Sequence, residues 1–148
     1  MVSCVEVPAV AGIYMVTLLN EEPISVNRQD PRIAQKAIRV RRGHIKVGKA
    51  KNLAGRRRNY QKTFNAENVE FWPILTCKDA DLADLERALK DRFRPFRIRG
   101  RTGRLNEWME NVSSQTVVAT IWEVVRTQGV SHQPVLSNFH AKGQADDL

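Results

Sequence analysis

The stretch Lys46-Val47-Gly48-Lys49-Ala50-Lys51-Asn52-Leu53 decides how the rest of the chain is read. Ile45 and Val47 alternate with Lys46 and Gly48, the period-two pattern of a strand. Asn52 then stands where a side-chain oxygen can accept from a free N–H at the start of a helix, so a helix is expected from Leu53 to about Lys62. Gly55 inside that helix costs ~1 kcal/mol relative to alanine. Lys46 and Lys49 flank Gly48, and a glycine at a strand end lets a phosphate or a neighbouring side chain come close to the backbone.

Working outward, Ile38 to Gly48 reads as one strand with an internal turn or bulge at Arg41-Arg42-Gly43. Upstream, Val10 to Leu19 is β-branched and aromatic enough for a buried strand, ended by Asn20-Glu21-Glu22-Pro23. Residues 20–37 form a long connection, within which Asp30-Pro31 can start a short helical turn over Arg32 to Ala37. Downstream, Val69 to Leu75 reads as a third strand, with Pro73 indicating an edge position or a bulge. Asp79 is placed to cap a helix from Ala80 to Phe93, whose Leu82, Leu85, Leu89 and Phe93 make one apolar stripe. Gly100 to Gly103 is a basic turn leading to Asn106-Glu107-Trp108-Met109. Gln115 to Thr127 has helical spacing of apolar residues, although its β-branched content keeps strand open. From Gly129 the chain is polar, so 129–148 is expected to be a poorly ordered tail behind a single domain of 1–128.

The net charge of +8 on 148 residues is unevenly spread. Residues 39–62 carry ten Lys/Arg and no acid, and residues 87–104 carry eight against only Asp91. Such concentration points to a polyanion, with nucleic acid the natural partner. The candidate contacts are Arg42, Lys49, Lys51, Arg57, Arg58, Arg97, Arg99, Arg101 and Arg104. No run approaches the ~20 apolar residues of a membrane helix and the start lacks a basic signal-peptide region, so an intracellular, non-membrane location is expected. Cys4 and Cys77 lack metal-ligand spacing, and His44, His132 and His140 are scattered, which leaves little basis for a zinc site or a Ser/His/Asp triad.

Phosphodiester hydrolysis needs an activated water, positive charge at phosphorus and stabilisation of the leaving oxygen. Arg56 and Tyr60, four apart on one helix, share a face. Glu86 lies at the border of the Leu82, Leu85, Leu89 stripe, suited either to an ion pair with Lys90 or to a hard divalent cation with waters filling its shell. Taken singly, Tyr14 reads as a packed strand aromatic and Arg56 as a solvated charge.

Together these residues resemble the GIY-YIG nuclease family over roughly residues 11–97. Val47 to Leu53 is especially similar to members from bacterial nucleotide-excision repair. Gly12-Ile13-Tyr14 matches the first motif, and Lys46-Val47-Gly48 occupies the second, with lysine for tyrosine as in the phage-type branch. Arg56 falls eight residues after Gly48 as the family's arginine does. Tyr60 stands where members have histidine or tyrosine. Leu85-Glu86, Leu89-Lys90 and Arg94-Pro95 are similar to the helix that carries the family's metal-binding glutamate. The family's late asparagine has no direct match, Asn106 being a substitute candidate. The long Tyr14 to Lys46 connection is similar to that of GIY-YIG restriction enzymes.

The resemblance implies an α/β (α+β) fold with a central three-stranded antiparallel sheet flanked by helices. The core would run from about 10 to 97, with 98–128 an extension bearing an extra C-terminal helix. It implies a metal-dependent DNA endonuclease, structure-selective or weakly sequence-specific, acting on double-stranded or branched DNA and open to guidance by a protein partner. Glu86 would hold one Mg²⁺ or Mn²⁺, Arg56 would bind the scissile phosphate, and Lys46 would assist deprotonation or hold phosphate. Tyr14 would act as general base or orient the water, its phenol pKa of ~10 lowered by nearby cations. Tyr60 and Lys49 would complete the pocket. The alternatives are a catalytically inactive nucleic-acid-binding module of the same fold and a basic RNA-associated protein.

Overall fold

A computed structural model describes residues 6–34, 37–100 and 102–135. Its centre is β1 (Gly12–Leu18), every residue of which is buried except the partly exposed Thr17. A continuous apolar run of this kind suits a strand covered on both faces. β1 lies between β4 (Ile45–Ala50) and β5 (Val69–Cys77), antiparallel to both. This trio is the three-stranded centre that the resemblance implies. Three further strands extend it, β6 (Arg97–Arg99) and β7 (Leu105–Met109) beyond β4, and β8 (His132–Pro134) beyond β5. The result is a six-stranded antiparallel sheet in the order β6-β7-β4-β1-β5-β8.

The chain before β4 departs from the single strand expected over Ile38 to Gly48. β3 (Arg39–Val40) pairs with β2 (Ile24–Ser25) in a separate two-stranded sheet, and the turn at Arg41 to His44 carries the chain into the main one. Gly43 occupies the left-handed region, φ 99°, that this turn requires. Within the long connection, α1 is the short helix Pro31–Ala34, and the Asp30 carboxylate accepts from the Arg32 N–H at 3.1 Å.

Side-chain alternation along β1 divides the core in two. Ile13 and Met15 face α3 (Leu82–Arg92) and α4 (Ser114–Gln128), whereas Tyr14, Val16 and Leu18 face α2 (Leu53–Phe64). Pro73 marks a bulge rather than an edge. Ile13 opposes Leu75 while Tyr14 opposes Pro73, so Ile74 is the extra residue and joins Leu75 in the same core. β5 has neighbours on both sides because β8 pairs with Leu75, Thr76 and Cys77. The segment after Gly129 therefore begins as a sheet strand where a polar tail was expected, and residues 136–148 lie outside the described residues.

Local capping accounts for the helix limits. The Asn52 side chain accepts from the Gly55 N–H at 3.0 Å, and the Ser113 hydroxyl accepts from the Thr116 N–H at 3.1 Å. α3 instead follows a 3-10 turn, Asp79–Asp81, with no side-chain cap hydrogen bond at Asp81. Its Leu82, Leu85 and Leu89 are buried as the stripe predicts, with Phe93 just beyond the helix. α4 resolves the helix-or-strand question through its cap and its buried Val117, Val118, Ile121, Val124 and Val125. Arg28 and Gln29 of the connection donate to the Lys62 carbonyl at 3.3 and 2.8 Å, so part of the long connection closes the C-terminal end of α2. Among the described residues no helix is long and apolar enough to cross a membrane.

Because α2 is polar along most of its length, its cap should matter to its stability. Asn52→Ala is expected to lower unfolding free energy by about 1 kcal/mol, read as a lower urea midpoint at unchanged m-value.

Candidate active site

Tyr14 and Gly48 are directly opposed in the β1–β4 pair, so they share a face of the sheet. The Tyr14 ring lies across the glycine: a Cβ on Gly48 would fall under 3.0 Å from the tyrosine hydroxyl and from the ring carbon bearing it. The glycine thus admits a side chain from the neighbouring strand. From α2, Tyr60 meets Tyr14 hydroxyl to hydroxyl at 2.8 Å, and the two rings pack edge to face at 5.6 Å between centroids. Phe71 stacks on Tyr14 from β5 at 4.8 Å.

Burial governs the chemistry of this pair. Desolvation pushes both phenols above the ordinary value of 10.0, more strongly for Tyr60. For Tyr14 the hydrogen bond with Tyr60 and the charge of Arg56 pull the other way without prevailing. This corrects the expectation of a lowered Tyr14 pKa, because water loss outweighs the nearby cation. A shared hydrogen bond uses one of the two O–H groups, leaving one donor for a third group.

The charged residues gather where the sheet opens. Among the described residues β4 pairs with β7 only at Ile45 and Lys46, so the ladder stops short of Gly48. The Lys46 ammonium stands 5.2 Å from the centroid of the Tyr60 ring and 3.8 Å from Glu107. Desolvation lowers the Lys46 pKa, with the charge of Glu107 opposing it. Glu86, on α3, accepts Lys49 at 3.6 Å and Lys90 at 3.8 Å. Of the two readings of Glu86, the ion pair with Lys90 is the one seen, at the border of the apolar stripe and with Lys49 as a second partner. Arg56 acts electrostatically on Tyr14, Tyr60 and Lys46.

Tyr14, Lys46, Arg56, Tyr60 and Glu86 thus come together around Gly48 from β1, β4, α2 and α3. A cleft beside them is lined by Lys49, Lys51, Arg56, Arg58 and Lys62. Arg57 is half-buried on α2 outside that lining. Arg42 is exposed and paired with Glu21 at 3.4 Å, in the turn before β4. Arg97 donates to the Asn106 carbonyl at 2.8 Å and Arg99 to the Gly103 carbonyl at 2.8 Å, so both guanidiniums brace the β6–β7 hairpin. Arg104 is exposed on that hairpin, and Arg101 lies outside the described residues.

Asn106 accepts from the Glu107 and Trp108 N–H groups at 2.9 and 3.4 Å, which occupies its side-chain oxygen within the strand. Its neighbour Glu107 is the site residue that sequence reasoning missed. The signal was weak: one of two acids flanking Trp108-Met109, with its partners far away in sequence.

For a metal, no group of three or more His, Cys, Asp or Glu among the described residues could hold an ion. The part-buried Glu86 fits the other mode of a hard divalent cation, one carboxylate with the remaining positions filled by water.

Comparison with known proteins places this geometry in a lineage. The profile of the T5orf172 domain matches residues 29–126, and the chain belongs to that family. The family is related to GIY-YIG-like and HNH-type nuclease modules in phage proteins and points to a nuclease-like or DNA-binding function. No curated protein and no solved structure matches the chain. The matched span takes in Lys46, Arg56, Tyr60, Glu86 and Glu107 and begins after Tyr14.

The chain has two tyrosines, both in this pair. Spectrophotometric titration of the native protein should show no tyrosinate step at the ordinary value of 10.0. With folded pKa values above the unfolded ones, the contribution to stability is complete below that pH and declines as pH rises past it. Ionisation of either phenol at its ordinary pH with the fold intact would contradict the buried pair.

Proposed function

We propose that this protein is a GIY-YIG-type endonuclease that hydrolyses phosphodiester bonds in DNA with one divalent metal. The observation that carries the reading is the convergence of the Tyr14–Tyr60 hydroxyl pair with Lys46, Arg56 and Glu86 around Gly48.

In this reading the raised phenol pKa values favour a hydrogen-bonding role over a basic one. The pair keeps its protons at neutral pH and offers one O–H and free lone pairs to orient the attacking water. Arg56 holds the scissile phosphate through a charge-assisted hydrogen bond, and Lys46 adds a second positive charge from the strand side. The basic cleft along α2 carries the flanking backbone. Glu86 would hold Mg²⁺ or Mn²⁺, which when bound supplies charge at the leaving oxygen. For that, Glu86 must give up part of its pairing with Lys49 and Lys90.

That same pairing favours a second reading. A carboxylate already met by two ammonium groups needs no metal, as suits a binding module that keeps the fold without cutting.

The test is cleavage of supercoiled plasmid and branched DNA with Mg²⁺ or Mn²⁺. Arg56→Ala and Glu86→Ala should each lower the rate on the order of 10²–10³, with thermal melting recorded to separate folding from chemistry. Wild-type cleavage no faster than Glu86→Ala, together with binding that weakens as about the −0.9 power of salt per phosphate contacted, would leave the binding module as the function.

A further inference from the structure

The ion pairs around Gly48 form one chain of alternating sign. Lys49 of β4 meets Glu86 of α3, Glu86 meets Lys90 one turn later, Lys90 meets Glu107 of β7 at 3.4 Å, and Glu107 meets Lys46, back on β4. The chain leaves β4 on one side of Gly48 and returns on the other. Glu107 is its hinge, because one carboxylate oxygen takes Lys90 and the other takes Lys46. The side chain is half-buried, and burial would raise its pKa were it not for Lys46 and Lys90, which hold it below the ordinary carboxylate value.

We infer that Glu107 is a positioning residue that holds the Lys46 ammonium over the Tyr60 ring, where it would meet a phosphate oxygen. Its catalytic meaning rests on the nuclease reading above. A lysine side chain has four rotatable bonds and a mobile charge. Without a partner, such a charge would turn toward water. Here the ring face attracts the ammonium from one side and the Glu107 carboxylate ties it from β7.

The other charges facing Lys46 are Arg56 from α2 and Glu86 and Lys90 from α3. Arg56 and Lys90 disfavour its proton, whereas Glu86 favours it more weakly than Glu107 does. Glu107 is thus the main electrostatic support of the charged form against desolvation. Substituting Glu107→Gln keeps the shape and removes that support, so Lys46 should lose its proton at lower pH. With Lys46 needed as a cation, the alkaline limb of the rate profile moves down with it.

The experiment compares full-length wild type, Glu107→Gln and Glu107→Asp in two readouts. One is the pH profile of plasmid cleavage with Mn²⁺; the other is titration of the Lys46 side chain by NMR of lysine-labelled protein, assigned with Lys46→Arg. Glu107→Gln should lower kcat on the order of tenfold, less than the loss of a phosphate-contacting group. It should also move the alkaline limb and the Lys46 titration down by about one pH unit. Glu107→Asp should return both toward wild type.

A Lys46 titration unmoved in folded Glu107→Gln, with the cleavage profile superimposed on wild type, overturns the positioning role and leaves the nuclease reading standing. A wild type that cleaves nothing, with the Lys46 titration still displaced by Glu107→Gln, refutes the nuclease reading and upholds the grip of Glu107 on Lys46.

Discussion

Tyr14 lies opposite Gly48 in the central strand pair, and its ring occupies the space that any side chain on Gly48 would need. The rest of the site depends on this close approach. With the ring laid across β4, the Tyr14 hydroxyl comes within reach of Tyr60 on α2, so α2 is set against the sheet by a hydrogen bond as well as by Leu53 and Phe64. Gly12 shows the same constraint two residues earlier, where a Cβ would meet the Leu75 carbonyl and the Leu53 side chain. Both glycines are required by close approach in an extended strand, not by a positive φ.

A sheet covered on both faces would ordinarily keep charges apart from its centre. Here the β4–β7 ladder stops after two pairs, and at the gap ammonium and carboxylate groups enter part-buried surroundings. Desolvation then acts on every titratable group with a resolved shift there. It drives the phenols toward neutrality, weakens the Lys46 ammonium and opposes ionisation of Glu107. The alternating ion pairs compensate, and they hold the site poised without making it strongly anionic. In the proposed nuclease a divalent cation at Glu86 would have to compete with two ammonium groups, which would tie metal binding to the position of Lys49 and Lys90.

The β6–β7 hairpin gives the basic segment of 97–104 a meaning that composition did not carry. Two of its arginines, Arg97 and Arg99, spend their donors on hairpin carbonyls, and the hairpin in turn delivers Glu107 to Lys46. Charge density in a sequence thus overstates the surface open to a polyanion. The α2 side of the cleft, with Lys51, Arg56, Arg58 and Lys62, carries more of that surface.

What could be read from the sequence alone was local. The β1 and β5 runs, the Asn52 cap and the Leu82 to Phe93 stripe each depend on residues a few positions apart, where strand and helix periods leave a direct mark, while Tyr14, Gly48, Arg56 and Glu86 were linked by the order of motifs in a family they resemble. Tertiary structure decided the rest. That β3 leaves the main sheet, that His132 to Pro134 joins it, that Ile74 bulges and that Glu107 reaches Lys46 and Lys90 all follow from pairings between residues distant in the chain. So does the direction of the Tyr14 pKa. Neighbouring cations can be counted in a sequence, but the loss of water that outweighs them exists only once α2 has closed over the strand.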